Sequence, residues 1–252
     1  MDLEVSNLKC FIIHLKRAKK RRAFVNQIIS DMPIKSEIID ATDGELLSNE
    51  EINDILSTSN LYNPKYPFKI NRGEIGCFLS HREVWRQIVD QKLDAGLIVE
   101  DDVRINPLIF KKSFNFSLKY IKKYKYIQFQ VRKMNKHHQI IQIQNELKLL
   151  RPAPSFLRTS AQLVSYEAAL TLLDKTKTID RPVDTTLQMF WGTKIKCFCI
   201  SESGITDHTF EAGGSTLSQK RHSANGFLRN IRRMIYRICI FCISKYKKDS
   251  ET

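Results

Sequence analysis

Three consecutive carboxylates, Glu100-Asp101-Asp102, close the apolar run Leu97-Ile98-Val99. Like charges side by side are costly unless a cation neutralises them. At the mouth of a sheet, such a cluster can hold a divalent metal through oxygen ligands, with substrate phosphates completing the shell. A solvated acidic turn after a strand would carry the same letters. Ser80 and His81 form a second polar pair, early in a candidate helix, where the structural and the catalytic reading are both open.

These groups need elements to position them. Cys10-Phe11-Ile12-Ile13-His14-Leu15 has the pattern of a buried strand. The basic run from Lys16 to Arg22 follows, and then Phe24, Ile28, Ile29 and Met32 at helical spacing. Strand, basic loop and helix in that order place cations at the carboxyl end of a strand, where ligands of open α/β sheets collect. A nucleic-acid patch or a solvated helix face fits the same run. Glu37 to Ala41 predicts a second strand, ending in Thr42-Asp43-Gly44. Ser48-Asn49-Glu50-Glu51 and Asn71-Arg72-Gly73-Glu74 have the form of capping boxes, each starting a helix. The second of these helices carries Ser80 and His81.

Beyond the carboxylates, Pro107 opens a helical stretch to about residue 123. Strands are predicted over 126–131 and 160–165, a hairpin over 140–150, and a last strand over 195–200. Helices follow over 166–173 and after Arg181-Pro182-Val183-Asp184, since Pro is favoured in a first turn. Helices between the early strands predict a mixed, mostly parallel sheet flanked by helices. No internal repeat or low-complexity linker interrupts the chain, so residues 1–217 form one domain and 218–252 a tail.

The 252 residues are 42% hydrophobic and 27% charged, an ordinary globular balance that excludes wholesale disorder. The net charge of +14 favours an anionic partner: nucleic acid, a phosphorylated small molecule or an anionic membrane. The six cysteines mostly sit in apolar runs, as reduced core residues do, which points to a reducing cytosol. The acidic start has no apolar run of signal-peptide length after it, and no stretch has the length of a spanning helix. From Gly213 to Lys248 there are nine Lys/Arg and no acid, with Phe227, Leu228, Ile231, Ile235 and Ile238 at helical spacing. That is a basic amphipathic helix, for which residues 225–248 would contact an inner-membrane surface; a helix docked on the domain is the other reading.

Several stretches, taken in order, resemble glycosyltransferase family 25, which includes bacterial lipooligosaccharide galactosyltransferases. They are Phe11 to Arg17 with Arg21-Arg22, Asp40 to Gly44, Gly73 to His81 and Ile98 to Val103, then Thr159 to Ser165, Pro182-Val183-Asp184 and Gly214 to Leu217. The resemblance spans roughly residues 8–217. It implies a GT-A type, Rossmann-like nucleotide-binding fold and inverting transfer from a UDP-sugar, usually UDP-galactose, to a glycolipid or oligosaccharide acceptor. Asp102 would bind Mn²⁺ or Mg²⁺ directly, helped by Glu100, while Asp101 would orient the metal's waters or the ribose. Leu15, Arg17, Ala41, Asp43, Glu74, Ser80 and His81 would line the nucleotide pocket.

An inverting transfer needs a base, and Asp184, opening a late helix, is the candidate; a helix cap is its alternative. His208 would add a metal ligand or be a plain loop histidine. The expected setting is the cytoplasmic face of a bacterial membrane. A nucleic-acid module is the competing class, but no known motif for it appears. A catalytically dead scaffold is a third.

Overall fold

The computed structural model describes residues 5–132, 138–211 and 226–249. The first half runs β1 (Leu8–His14), α1 (Arg22–Asp31), β2 (Ser36–Asp40), α2 (Asn49–Ile55), α3 (Arg72–Asp90) and β3 (Ala95–Glu100). Next come β4 (Val103–Ile105), α4 (Pro107–Leu118), α5 (Ile121–Tyr124), β5 (Tyr126–Phe129) and the hairpin β6 (Gln139–Gln144) with β7 (Leu147–Arg151). The chain continues through β8 (Ala161–Ser165), α6 (Tyr166–Lys175), α7 (Val183–Leu187), α8 (Phe190–Thr193), β9 (Phe198–Ile200), β10 (Ile205–Asp207) and α9 (Gly226–Asp249).

Eight strands form one sheet in the order β2-β1-β3-β8-β5-β9-β7-β6, and β4 pairs with β10 apart from it. β1 runs parallel to both β2 and β3, with helices making the crossovers that parallel pairing requires. β5 and β9 are also parallel. The hairpin excursion returns β8 antiparallel between β3 and β5, so the parallel pairing is concentrated in the N-terminal half. The sheet is therefore mixed and helix-flanked, as the element order predicts, but not mostly parallel. Three of its pairings are parallel and four antiparallel among the described residues, because the returning β8 and the hairpin pair antiparallel.

Because both faces of the central strands are covered, they read as continuous apolar runs rather than alternating ones. Cys10, Ile12, Leu97 and Val99 face a layer that includes Val25 and Ile28 of α1 and Phe110 and Phe114 of α4. Phe11, Ile13 and Ile98 face Phe78, Trp85 and Ile88 of α3 and Leu172 of α6. Both predicted capping boxes are formed, at Ser48 for α2 and Asn71 for α3.

The helix expected in the tail is α9, and it docks. Tyr236, Ile240 and Ser244, spaced four apart and so on one face, are buried. Met189, Tyr62, Tyr66 and Trp191 pack around Tyr236 and Ile240, and Arg181 donates to the Tyr236 hydroxyl at 3.1 Å. On the opposite face, Leu228 and Ile235 stay more than half exposed. Among the described residues no helix is long and apolar enough to cross a membrane. The boundary at residue 217 and the Gly214 to Leu217 match lie outside the described residues.

Candidate active site

β1 lies between β2 and β3, so the carboxyl ends of β1 and β3 diverge at a topological switch point, the place where open α/β sheets bind ligands. Ile13 at the end of β1 pairs in register with Glu100 at the end of β3. One cleft opens there. Leu15, Arg17, Ala41, Asp43, Ser80 and His81 line it together with Glu100, Asp101 and Asp102. Of the seven residues expected around a nucleotide, only Glu74 is absent from this lining. Its carboxylate accepts the Asn71 backbone N–H at 2.8 Å, so it belongs to the capping box instead.

The three carboxylates have separate environments. Asp101 is 5% exposed, with Oδ2 against His14 Nδ1 at 2.7 Å and Oδ1 accepting from Arg21 at 2.5 Å. Both oxygens are committed: Asp101, expected to orient the metal's waters or the ribose, ties β1 and the basic loop to the acidic turn. Asp102 accepts from Thr209 at 3.1 Å and has Arg21 3.8 Å away. Burial, with the charge of Glu100 next, pushes its carboxyl up to about 6. Burial also pushes Glu100 upward, but hydrogen bonds from His81 and Thr159 outweigh it and hold that carboxyl below its ordinary value.

Glu100 and Asp102 are half-buried like charges, whose repulsion a bound cation would relieve. Burial raises the Cys77 thiol well above its usual range, and the charges of Glu100, Asp184, Asp102 and Glu74 add to the effect. Oxygen donors of this kind suit Mg²⁺ or Mn²⁺. Cys77, His81 and Glu100 also bring donor atoms within 4.8 Å of one another.

His81 is held from both sides. Tyr126 donates to Gln162 Oε1, which turns the Gln162 amide nitrogen toward His81 Nδ1 at 3.1 Å. Nε2 then carries the proton and donates to Glu100 at 3.0 Å. Thr159 donates to the same Glu100 oxygen at 2.7 Å. His81 therefore orients Glu100 more than it faces a nucleotide. Ser80 accepts the Thr42 N–H at 2.9 Å and donates to the Gly76 carbonyl at 2.7 Å, fixing the turn that carries Ala41 and Asp43. That turn packs against α3 closely enough that a Cβ on Gly76 would lie 2.5 Å from the Thr42 oxygen. Arg17, half exposed at the cleft edge, pairs with Asp43 at 2.5 Å.

Asp184 lies inside the first turn of α7, whose N-cap position, Pro182, makes no side-chain cap bond. Its Oδ2 accepts from the Arg158 backbone at 3.2 Å. Burial raises its pKa despite these bonds, and the charge of Glu100 is close enough to add to the rise. Asp184 is linked to Glu100 through adjacent residues, since the Arg158 N–H donates to Asp184 and the Thr159 hydroxyl to Glu100. His208 lies beside Asp102, its backbone N–H donating to the Asp102 carbonyl at 2.8 Å, but its ring turns away, packing edge-on to Phe24 at 4.8 Å with Nδ1 facing Glu211 at 3.2 Å. It lines a separate cleft with Phe24 and Arg104, so its imidazole is not grouped with the carboxylates as expected.

Sequence reasoning assigned no role to Arg158, Thr159, Gln162 or the individual Arg21. Arg158 sits at φ +78°, a left-handed conformation that costs a non-glycine residue on the order of 1 kcal/mol or more and is kept where surroundings enforce it. There its backbone holds Asp184 and its guanidinium reaches Asp207 at 2.5 Å. All four stand next to or within quoted motifs, which is the signal the sequence offers for them.

A family model described as "Glycosyltransferase family 25 (LPS biosynthesis protein)" matches residues 7–187. Human procollagen galactosyltransferase 2 is 37% identical over 105 residues, 40% of this chain and 17% of that protein. A glycosyltransferase 25 family member of Drosophila melanogaster is 30% identical over 189 residues, 73% of this chain and 30% of that protein. The inactive glycosyltransferase 25 family member 3 of Mus musculus is 36% identical over 107 residues, 41% of this chain and 17% of that protein. The chain therefore spans less than a third of the length of these relatives. Among solved structures, a glycosyltransferase involved in glycosylation of the major capsid of PBCV-1 is 11% identical, over 73% of this chain and 66% of that one, with a TM-score of 0.33.

Proposed function

The chain belongs to glycosyltransferase family 25, and on that premise we propose that it moves a hexose from a UDP-sugar to a saccharide acceptor, inverting the anomeric carbon. Galactose is the first choice of sugar because human and mouse relatives are named procollagen galactosyltransferases; glucose is the alternative. The observation that carries this reading is the half-buried pair Glu100 and Asp102 lining the switch-point cleft, with Asp184 linked to Glu100 through the adjacent Arg158 and Thr159. Asp102 and Glu100 would hold Mn²⁺ or Mg²⁺, which would offset negative charge on the diphosphate leaving with UDP. Arg17 and Asp43 edge the nucleotide cleft. Asp184, its basicity raised by burial, accepts the acceptor hydroxyl's proton as that oxygen bonds to the anomeric carbon and the bond to UDP breaks.

The test is release of UDP from UDP-galactose, UDP-glucose and UDP-N-acetylglucosamine in Mn²⁺, with and without deacylated lipooligosaccharide as acceptor. Acceptor-stimulated release, greatest for one hexose and abolished by EDTA, is the expected result. No release from any donor, as for an inactive family member, would overturn it.

The outward row of α9 supports a location as well. Leu228 and Ile235 are exposed on the face away from the domain, with exposed Arg232 beside them. Apolar side chains between cations suit the surface of an anionic bilayer, and on this reading the enzyme works at the cytoplasmic face of the membrane. Flotation with phosphatidylglycerol-containing vesicles should recover the protein, and Leu228→Ser with Ile235→Ser should reduce recovery about tenfold, as loss of two buried aliphatic groups predicts. Equal binding to phosphatidylcholine vesicles would count against this.

A further inference from the structure

A second cavity, of about 760 Å³, lies between α9 and the domain, and nothing so far gives it a ligand. One wall is Tyr66 and Phe68, packed edge-on at 5.6 Å. Tyr66 in turn packs edge-on to Tyr236 at 5.6 Å. The other wall is α9, which contributes Arg233, Arg237 and the half-exposed Met234, Ile238 and Phe241. The frame is rigid. Buried Arg181 bonds at once to Asp180, to the Tyr62 carbonyl at 2.7 Å, to the Pro64 carbonyl at 3.2 Å and to Tyr236, pinning the 62–66 loop to α9. Gln188 of α7 donates to the Ser155 carbonyl at 2.6 Å, fixing the end of the cavity lined by Pro154 and Leu157.

The position of this cavity relative to the reaction centre is what gives it a role. Thr185 and Gln188 of α7 line it, and Thr185 bonds to Asp184 at 3.2 Å. The charge of Asp184 is felt by Tyr66 and Tyr236 on the cavity side, and by Cys77 in the donor cleft on the other. Asp184 Oδ2 also accepts from the Arg158 backbone, and the next residue, Thr159, donates to Glu100 in the donor cleft at 2.7 Å, so hydrogen bonds through adjacent residues link Asp184 to both openings. We propose that the cavity between α9 and the Tyr66–Phe68 loop is the acceptor subsite, and that it takes a saccharide bearing a phosphate beside the reacting sugar. Exposed aromatic and aliphatic faces cover the apolar faces of a sugar ring. Arg233 and Arg237 supply the fork that planar anions and phosphates fit. Arg233 already lies over the Phe68 ring at 5.8 Å, which holds its guanidinium at the cavity wall.

This inference rests on the glycosyltransferase reading, so its test uses binding rather than turnover. The probes are deacylated, phosphorylated lipooligosaccharide, the same saccharide after phosphate removal, and UDP with Mn²⁺, each titrated calorimetrically into the full chain. The wild type should bind the phosphorylated saccharide at least tenfold more tightly than the dephosphorylated one, and inorganic phosphate at equal concentration should not displace it. Arg233→Gln with Arg237→Gln should remove that preference and leave UDP affinity unchanged. No binding of the saccharide, no preference for its phosphorylated form, or a preference that survives the double substitution would each overturn the assignment. Loss of UDP binding in the wild type would instead strike the donor site and the proposed activity.

Discussion

Asp102→Asn should lower sugar transfer on the order of 10²- to 10³-fold and raise the Mn²⁺ concentration needed for half-maximal rate, with the melting temperature held. The carboxylate is partly buried, is pushed up to about 6 by burial and by Glu100, and accepts from Thr209 at 3.1 Å with Arg21 3.8 Å away. An amide keeps its shape and removes the charge that a metal would meet. The neighbouring change Asp101→Asn should act the other way round. It breaks a buried pair with His14 and Arg21, a loss of about 3–5 kcal/mol, which for a chain of this size lowers the melting temperature by roughly 10 °C. Transfer assays with Mn²⁺ titration, beside thermal denaturation of both variants, separate the two roles. An unchanged metal requirement in Asp102→Asn would remove it from the site. A fully stable but inactive Asp101→Asn would return Asp101 to the chemistry.

The contrast between these adjacent residues shows where sequence reading stops. The strand ending at Glu100 was legible because Leu97, Ile98 and Val99 form an apolar run, and both capping boxes were legible because a cap and its third residue are a local hydrogen-bonding unit. Six of seven expected nucleotide-site residues reach one cleft, since the loops after β1 and β2 and the start of α3 meet at the carboxyl ends of parallel strands. Which carboxylate is free was not legible. That depends on Arg21 and His14, which sit 80 and 87 positions from Asp101. Gln162 and Thr159 were hidden for the same reason: their task is to hold His81 and Glu100 across the sheet. His208 is the opposite case, a residue of suitable type whose ring the fold spends on Phe24. The amphipathic period of α9 announced an apolar row, but a period alone cannot tell that a second face, through Tyr236 and Ile240, would be claimed by the domain.

Asp184→Asn carries the other large effect: a fall in kcat on the order of 10²- to 10⁴-fold, the usual cost of losing a positioned base, with donor KM little changed. The pH profile identifies the role. Burial raises this carboxyl above its ordinary 3.8. A base works only when ionised, so wild-type activity is lost as pH falls through that raised value, and the acid limb lies at higher pH than an ordinary carboxylate would set. The limb attributable to Asp184 disappears in the variant. Stability supplies a second sign. A carboxyl whose folded pKa exceeds its unfolded one binds its proton more tightly when folded, so ionising it at neutral pH costs the fold free energy. Removing that charge should leave the variant at least as stable as the wild type near pH 7. A helix-capping residue behaves oppositely, since its loss costs about 1 kcal/mol and leaves kcat and its pH limb in place. Urea denaturation and kcat measured across pH on the same pair of proteins therefore decide between base and cap, and a destabilised variant with wild-type kcat would hand the proton to another group.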